Sequence, residues 1–138
     1  MIVVLDASVA LKWFVPGEPL RAEAMEVLDT IQENPSEVVV PELFFHEILA
    51  VLCRLPGSTA AAVVEAMTLL ERLGIARVAA GHELLALAAE YAVSSKLSGY
   101  DATYVALAAL TDGVWLTADE RAARRVGRKG LVRLLGGR

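Results

Sequence analysis

The stretch that decides the fold of this chain is its beginning, Met1-Ile-Val-Val-Leu-Asp6-Ala-Ser8. Ile2 to Leu5 is a short run of β-branched and aliphatic side chains, and the small polar segment after it ends the run abruptly. A fully apolar run of this length predicts a strand buried on both faces, as in a parallel sheet. Asp6 would then stand directly at the carboxyl end of that strand.

Working outward, the same alternation of short apolar runs and helical patterns continues to the end of the chain. The predicted strands cover residues 2–5, 38–40, 75–79, 114–117 and 131–132. The predicted helices cover residues 7–14, 20–31, 41–54, 63–73, 82–97, 100–112 and 119–127, with Pro41 in a first helical turn. Strands that alternate with helices predict one α/β domain over residues 1–138, a parallel sheet covered by helices on both faces.

Composition restricts the class of protein further. The 138 residues are 56% hydrophobic, yet no apolar stretch is long enough for a membrane span. The N-terminus lacks the basic lead-in of a secretory signal, and the single Cys53 allows no internal disulfide, so we expect a cytoplasmic protein without a membrane partner.

Charge is distributed unevenly along the chain. The net charge is −4, but seven basic and two acidic residues lie between Asp119 and Arg138, so this segment carries +5 and the first 118 residues carry −9. The basic segment is either a phosphate-contacting surface or a solvated last helix and tail.

Four acidic residues are the candidates for chemistry. Asp6 follows the first strand, Glu47 lies two turns into the helix after the second strand, and Asp119 lies two residues beyond the fourth. Asp101 begins the helix that leads into the fourth strand. Functional groups of open parallel sheets collect beyond the carboxyl ends of strands, so we expect these four side chains at one edge of the sheet.

Each of these residues also has a purely structural interpretation. Asp6 and Asp119 could cap helices, Ser98 and Asp101 resemble a capping box, and Glu47 could face solvent. Two of the four, Glu47 and Asp101, lie in largely apolar helical segments. The sequence before the basic tail contains only two lysines, Lys12 and Lys96, so lysine partners for these carboxylates are scarce. A buried carboxylate must be paired, protonated or bound to metal, so a divalent cation is the simplest partner.

The chemistry of the donors selects the metal and the reaction. Hard carboxylate oxygens favour Mg²⁺ or Mn²⁺ over zinc, and the sequence has no Cys/His cluster that argues otherwise. Ions held by carboxylates polarise a phosphodiester and acidify a bound water, which is phosphoryl chemistry. Ser8, Thr117 and nearby helix N-termini could position the phosphate.

Four segments together resemble the PIN domain family, and within it the VapC-type toxins of toxin–antitoxin pairs. The segments are Ile2-Val-Val-Leu-Asp6-Ala-Ser8, Pro41-Glu-Leu-Phe-Phe-His-Glu47, Ser98-Gly-Tyr-Asp101-Ala-Thr-Tyr104 and Gly113-Val-Trp-Leu-Thr117-Ala-Asp119. The resemblance implies a three-layer α/β/α fold with a five-stranded parallel sheet, and a Mg²⁺- or Mn²⁺-dependent endoribonuclease. It also implies RNA as substrate, a homodimer and a small cognate antitoxin. Asp6, Glu47, Asp101 and Asp119 match the acidic quartet as catalytic and metal-binding residues, and Ser8 and Thr117 match the accessory hydroxyls.

One position departs from the family pattern, and other functions stay open. Ala50 stands where relatives often have Asn, which changes the support of the site but removes no ligand. A PIN nuclease of RNA processing or quality control, or a catalytically silent module that binds RNA or protein, would share these residues. A receiver-type signalling domain would need a second acidic residue after the first strand and an Asp after the third, and the sequence has neither.

Overall fold

The computed structural model describes residues 1–127 and 130–137 of the chain. Within them, five strands form one wholly parallel sheet in the order β3-β2-β1-β4-β5. The strands are β1 (Val3–Leu5), β2 (Val38–Pro41), β3 (Ala76–Val78), β4 (Val114–Thr117) and β5 (Val132–Leu134). Seven helices in the described part of the chain flank the sheet, which confirms the predicted three-layer α/β architecture.

The helices follow the apolar periodicities of the sequence closely. They are α1 (Ala7–Phe14), α2 (Arg21–Glu33), α3 (Leu43–Arg54), α4 (Ala60–Glu71), α5 (His82–Ser95), α6 (Gly99–Leu110) and α7 (Glu120–Val126), with a 3₁₀ turn at Pro35–Glu37. The two helices predicted over 82–97 and 100–112 both end two residues earlier than expected, and β5 runs two residues further than its predicted end. None of the described helices is long and apolar enough to cross a bilayer.

Pro41 corrects the predicted start of the third helix. It is the last residue of β2, paired with Val78 of β3, and the N–H of Glu42 donates to the Val78 carbonyl at 3.0 Å. The chain therefore stays extended beside β3 for one residue longer than the local pattern predicts, and α3 begins at Leu43. A proline at the end of a strand loses little, since only one ladder donor is missing.

Helix α6 forms the centre of the core. It packs against β1, β2 and β4 as well as α5, and its residues from Ala102 to Ala108 are all buried. Ala102, Ala106 and Ala108 let the helix approach its neighbours closely, while Tyr104 fills the remaining space without any exposed surface. Asp101, in the first turn of α6, is consequently held at a fixed place over the sheet.

Gly113 allows β4 to reach its place beside β1. A Cβ atom on Gly113 would lie 2.5 Å from the carbonyl oxygen of Ile2, so no other residue fits without displacing backbone. The next residue, Val114, donates its N–H to that same carbonyl at 3.0 Å, which starts the pairing of β1 with β4.

The strand order creates a crevice next to β1. Successive strands add on one side from β1 to β3, and the chain then crosses to place β4 on the other side of β1. Ligand sites of open parallel sheets lie at the carboxyl ends of the strands where this reversal occurs. Asp6 and Thr117 stand at that point, at the ends of β1 and β4.

Candidate active site

Asp6 lies at the centre of the site and receives three hydrogen bonds. Its Oδ2 accepts from the N–H of Ser8 at 3.1 Å and from the hydroxyl of Thr117 at 3.3 Å, and its Oδ1 accepts from Nε1 of Trp115 at 3.2 Å. The residue is only 7% exposed. Burial raises the pKa of its carboxyl, and the hydrogen bonds from Ser8, Trp115 and Thr117 oppose that rise only in part.

The bond from Ser8 makes Asp6 the N-cap of α1, so the capping interpretation is confirmed. The capping bond does not use all the acceptor positions of the Asp6 carboxylate, because a carboxylate offers about four of them. Two donors occupy Oδ2 and one occupies Oδ1. The remaining acceptor position is therefore on Oδ1.

Glu47 extends from the second turn of α3 and is half-buried. The hydroxyl of Tyr104 donates to its Oε1 at 2.7 Å. Burial is the largest cause that raises the pKa of Glu47 to about 7; the Tyr104 bond lowers it, and the charges of Asp6 and Asp101 raise it further. Glu47 thus changes its protonation near neutral pH, as a group suited to proton transfer does.

Asp101 stands half-buried in the first turn of α6. Its backbone N–H donates to the hydroxyl of Ser98 at 3.0 Å, which is one half of the predicted capping box. Burial raises the pKa of its carboxyl to about 6, the charges of Asp6 and Asp119 add to the rise, and Ser98 and Arg125 oppose it.

Asp119 is the exposed member of the four. It is the N-cap of α7, and its Oδ1 accepts from the N–H of Ala122 at 3.0 Å, so the capping interpretation holds here too. Its charge nevertheless reaches the site, because it contributes to the raised pKa of Asp101. The structure places it at the rim rather than in the interior.

Two hydroxyl side chains link the strand ends into one network. The Ser8 hydroxyl accepts from the N–H of Ala118 at 2.9 Å and lies 3.4 Å from the Thr117 hydroxyl oxygen. Thr117 is fully buried, and its hydroxyl also accepts from the N–H of Asp119 at 3.0 Å. These contacts fix the β4–α7 connection against Asp6, so both residues support the carboxylates.

Two further residues of the site were not predicted from the sequence. Trp115 donates to Asp6 and Tyr104 donates to Glu47, and their rings stack with centroids 5.9 Å apart and planes inclined by 20°. A signal for both was present: Trp115 precedes Thr117 by two residues on one strand face, and Tyr104 follows Asp101 by three on a helix. Buried Trp and Tyr usually need a partner for their polar atom.

The predicted quartet therefore shares one electrostatic environment. Asp6 raises the pKa of both Glu47 and Asp101, and Asp119 raises that of Asp101. Within residues 1–127 and 130–137, no Lys, Arg or His side chain forms a salt bridge with any of the four. Excess negative charge in a partly buried place favours a bound cation.

The donor set suits a hard divalent ion, although no ligand cage is assembled. Carboxylate and hydroxyl oxygens of Asp6, Ser8 and Thr117 face one another at this edge, and oxygen donors are the ligands that Mg²⁺ and Mn²⁺ select. Across the described part of the chain, no three His, Cys, Asp or Glu side chains lie close enough together to hold an ion as placed. The structure thus gathers the predicted residues at one sheet edge, and their role as ligands stays a prediction.

A parallel sheet with this strand order and an acidic edge at its crevice defines a class of α/β domains. The chain belongs to the PIN domain family, whose sequence profile matches residues 3–129. No curated protein sequence matches the chain. The family membership confirms the resemblance drawn from the four sequence segments.

Solved structures with the same fold come from several bacteria. FitAB bound to an IR36 DNA fragment is similar with a TM-score of 0.73 and 17% identity, covering 95% of this chain and 93% of that one. VapC20 of Mycobacterium tuberculosis, a sarcin-ricin loop cleaving toxin, has a TM-score of 0.72 and 18% identity over 88% and 93% of the two chains. VapBC2 of Rickettsia felis, bound to a promoter DNA fragment, has a TM-score of 0.71 and 9% identity, covering 96% of each chain. At these identities the likeness shows a common fold.

Proposed function

We propose that this chain is a divalent-metal-dependent endoribonuclease and the toxin of a toxin–antitoxin pair. One observation carries the proposal: a PIN domain holds four carboxylates at the crevice of its sheet, three of them with raised pKa values and none in a salt bridge within the described residues. Similar structures include a toxin that cleaves the sarcin-ricin loop and other toxin–antitoxin complexes, which supports this choice among nucleases.

Each carboxylate has a role in this proposal. Asp6, Glu47, Asp101 and Asp119 would hold Mg²⁺ or Mn²⁺, with Asp6 offering its free acceptor position on Oδ1. When bound, the ion supplies an acidified water and neutralises charge on the scissile phosphate. Glu47 has one oxygen engaged by Tyr104, and its Oε2 is the atom that would take the proton of the attacking water. As the water oxygen would bond to phosphorus, the bond between phosphorus and the leaving ribose oxygen would break, and that oxygen would take up a proton from the surrounding water.

Basic side chains next to the acidic edge would hold the RNA backbone. Arg121, Arg124 and Arg125 are all exposed on α7, the helix that begins directly after Asp119. Arg125 donates to the carbonyl of Lys96 at 3.2 Å, and its charge lowers the pKa of Asp101, so it lies beside the site. The other predicted contributors of this segment include Arg128, Lys129 and Arg138, which lie outside the described residues.

RNA cleavage by purified protein tests the proposal. The protein, prepared free of any antitoxin, should cut RNA with Mg²⁺ or Mn²⁺, stop cutting with a chelator, and lose activity in Asp6→Asn and Asp101→Asn. Asp112→Asn is the matched control, because Asp112 is exposed, lies in a left-handed turn that Asn tolerates, and precedes β4, at the end of that strand opposite to Thr117. Protein that binds the metal but leaves a broad panel of RNAs intact would refute the assignment.

The antitoxin partner has a candidate binding cleft. An apolar cavity of about 340 Å³ lies between α1, α2 and α4, lined by Trp13, Phe14, Leu28, Leu69 and Leu73 among others. Its size and lining fit the apolar face of a partner helix. Leu69, half exposed on α4, should tolerate Leu69→Glu in the free chain and lose the complex. Unchanged copurification of the variant with its antitoxin would contradict this cleft.

RNA processing or quality control is the alternative role for the same nuclease. An open reading frame for a small DNA-binding protein immediately upstream would favour the toxin, and growth arrest on expression would do the same. Light scattering on the purified chain, which gives its molar mass in solution, tests the predicted homodimer.

A receiver-type function has no support in the fold, because β3 lies at the edge of the sheet and β2 separates it from β1, the strand that Asp6 follows.

A further inference from the structure

Two aromatic residues join the carboxylates of α3 and β1. Trp115 and Tyr104 are both fully buried, and their rings stack at a centroid distance of 5.9 Å. Each turns its polar atom to a different carboxylate: Nε1 of Trp115 lies 3.2 Å from Oδ1 of Asp6, and the Tyr104 hydroxyl lies 2.7 Å from Oε1 of Glu47. Four separate elements of the fold therefore meet through one stacked pair.

Simple satisfaction of buried polar atoms does not explain this arrangement. The other tryptophan, Trp13, donates its indole N–H to the backbone carbonyl of Ala24 at 2.8 Å. A neutral carbonyl is thus sufficient for an indole in this protein. Trp115 instead donates to a carboxylate whose burial is costly, and the stack ties that contact to a second carboxylate.

The pair also decides which oxygens remain free. With Trp115 in place, Oδ1 of Asp6 keeps one acceptor position while Oδ2 is filled by Ser8 and Thr117. With Tyr104 in place, Oε1 of Glu47 is engaged, while Oε2 accepts no hydrogen bond from the described residues. Since both rings are buried and packed together, neither carboxylate can rotate without losing the hydrogen bond that its ring donates.

We propose that Trp115 and Tyr104 are positioning residues of the active site, which fix Asp6 and Glu47 relative to each other and set the oxygens that bind a divalent cation. This inference rests on the proposed metal-dependent function. Partners of this kind that orient metal ligands change metal affinity by about 10- to 100-fold when they are removed.

Mn²⁺ binding, followed by electron paramagnetic resonance, tests the role of the pair in the full chain. Tyr104→Phe and Trp115→Phe should each weaken Mn²⁺ binding by about 10- to 100-fold. Tyr91→Phe removes the hydroxyl of a half-buried tyrosine from α5, and Trp13→Phe removes the half-buried indole bond to Ala24, so these are the matched controls. Both controls should bind Mn²⁺ as the wild type does, even where Trp13→Phe lowers stability.

A double-mutant cycle shows whether Tyr104 acts through Glu47. In the Glu47→Gln background, Tyr104→Phe should change Mn²⁺ affinity far less than it does in the wild type, because the ligand it orients is already altered. Equal losses in the two backgrounds would show that Tyr104 matters only for packing, and would overturn its positioning role. Tyr104→Phe removes one oxygen atom, so the variant keeps the core volume that Trp115→Phe reduces.

The indole resonances give a readout that needs no RNA. The chain has two tryptophans, so its nitrogen–proton spectrum has two indole signals, assigned with Trp13→Phe. Asp6→Asn and Mg²⁺ should each shift the Trp115 signal and leave the Trp13 signal in place. Mg²⁺ binding without a shift at Trp115, or unchanged Mn²⁺ affinity in Tyr104→Phe and Trp115→Phe, would overturn the inference.

The outcomes separate this inference from the proposed function. If the wild type binds Mn²⁺ and both substitutions weaken that binding, but the wild type cleaves no RNA, the positioning pair is supported and the ribonuclease is rejected. Wild-type protein that cleaves RNA while both variants keep full Mn²⁺ affinity rejects the pair alone. Wild-type protein that binds no Mn²⁺ rejects both.

Discussion

Glu47→Gln should stabilise the metal-free protein, and should do so only at neutral and alkaline pH. The substitution keeps an oxygen acceptor for the Tyr104 hydroxyl but removes the charge. In the folded chain the pKa of Glu47 is raised from 4.5 to about 7, mainly by burial, so the charged form is unfavourable there relative to the unfolded chain. Glutamine cannot ionise and avoids this penalty.

The sign and the pH window follow from that raised pKa. Below pH 4.5 the acid is protonated in both states and Glu47 carries no charge penalty. As the pH rises to about 7, the unfolded chain ionises first, and the wild type loses stability through this window. Above about pH 7 the full cost of the buried charge is present in the wild type. The extra stability of Glu47→Gln should therefore be absent at pH 4.5, grow towards pH 7 and then stay constant.

The magnitude follows from the size of the rise. A pKa change from 4.5 to about 7, at about 1.36 kcal/mol per pH unit, sets an upper bound of about 3.4 kcal/mol. Glu47 is half-exposed, and solvent screening reduces the effect by about half or more. We therefore expect Glu47→Gln to raise the free energy of unfolding by about 1–2 kcal/mol at pH 8.

Urea unfolding with a chelator present, followed by tryptophan fluorescence at pH 5 and pH 8, measures this difference. Glu65→Gln on the exposed face of α4 is the control and should have no such pH dependence. Mg²⁺ should reverse the order at pH 8, since the ion stabilises a folded wild type that still carries its ligand charge. The reasoning would be refuted if Glu47→Gln were less stable than the wild type at pH 8. It would also be refuted if the substitution changed the free energy of unfolding equally at both pH values.

Three further predictions come from the same geometry. The rise in melting temperature that Mg²⁺ causes should be larger at pH 8 than at pH 5.5, because protons compete for Asp101 and Glu47, whose pKa values are about 6 and about 7; equal rises in a calorimeter would contradict this. Gly113→Ala should lower the free energy of unfolding by about 1–3 kcal/mol in urea titrations, because its Cβ would lie 2.5 Å from the Ile2 carbonyl oxygen, and a wild-type stability would show that this backbone yields easily. Arg125→Gln should weaken RNA binding in filter assays and reduce its salt dependence by about one phosphate contact, whereas an unchanged salt slope would place the RNA elsewhere.

The helices, the strands and the candidate carboxylates were predictable from the amino-acid sequence alone. The runs of residues 2–5 and 114–117 predicted buried parallel strands because nearly all their side chains are apolar and neither run has a polar face for solvent. Asp6 and Asp119 were predictable as strand-end residues, since a parallel sheet brings those ends together. That Asp6 and Asp119 also cap helices was visible from the sequence as well, and the two roles coexist.

The hydrogen bonds that support the carboxylates follow from long-range packing, which the sequence pattern does not report. Pro41 stays in β2 because β3 pairs with it, and no local pattern reports that pairing. The bond from Trp115 to Asp6 spans 109 residues of chain, and the bond from Tyr104 to Glu47 spans 57. Hydrogen bonds between residues so far apart depend on the strand order and on the close packing of α6 against the sheet. Periodicity determines the face of a helix or strand on which a side chain lies. Its hydrogen-bond partner depends on which other element packs against that face.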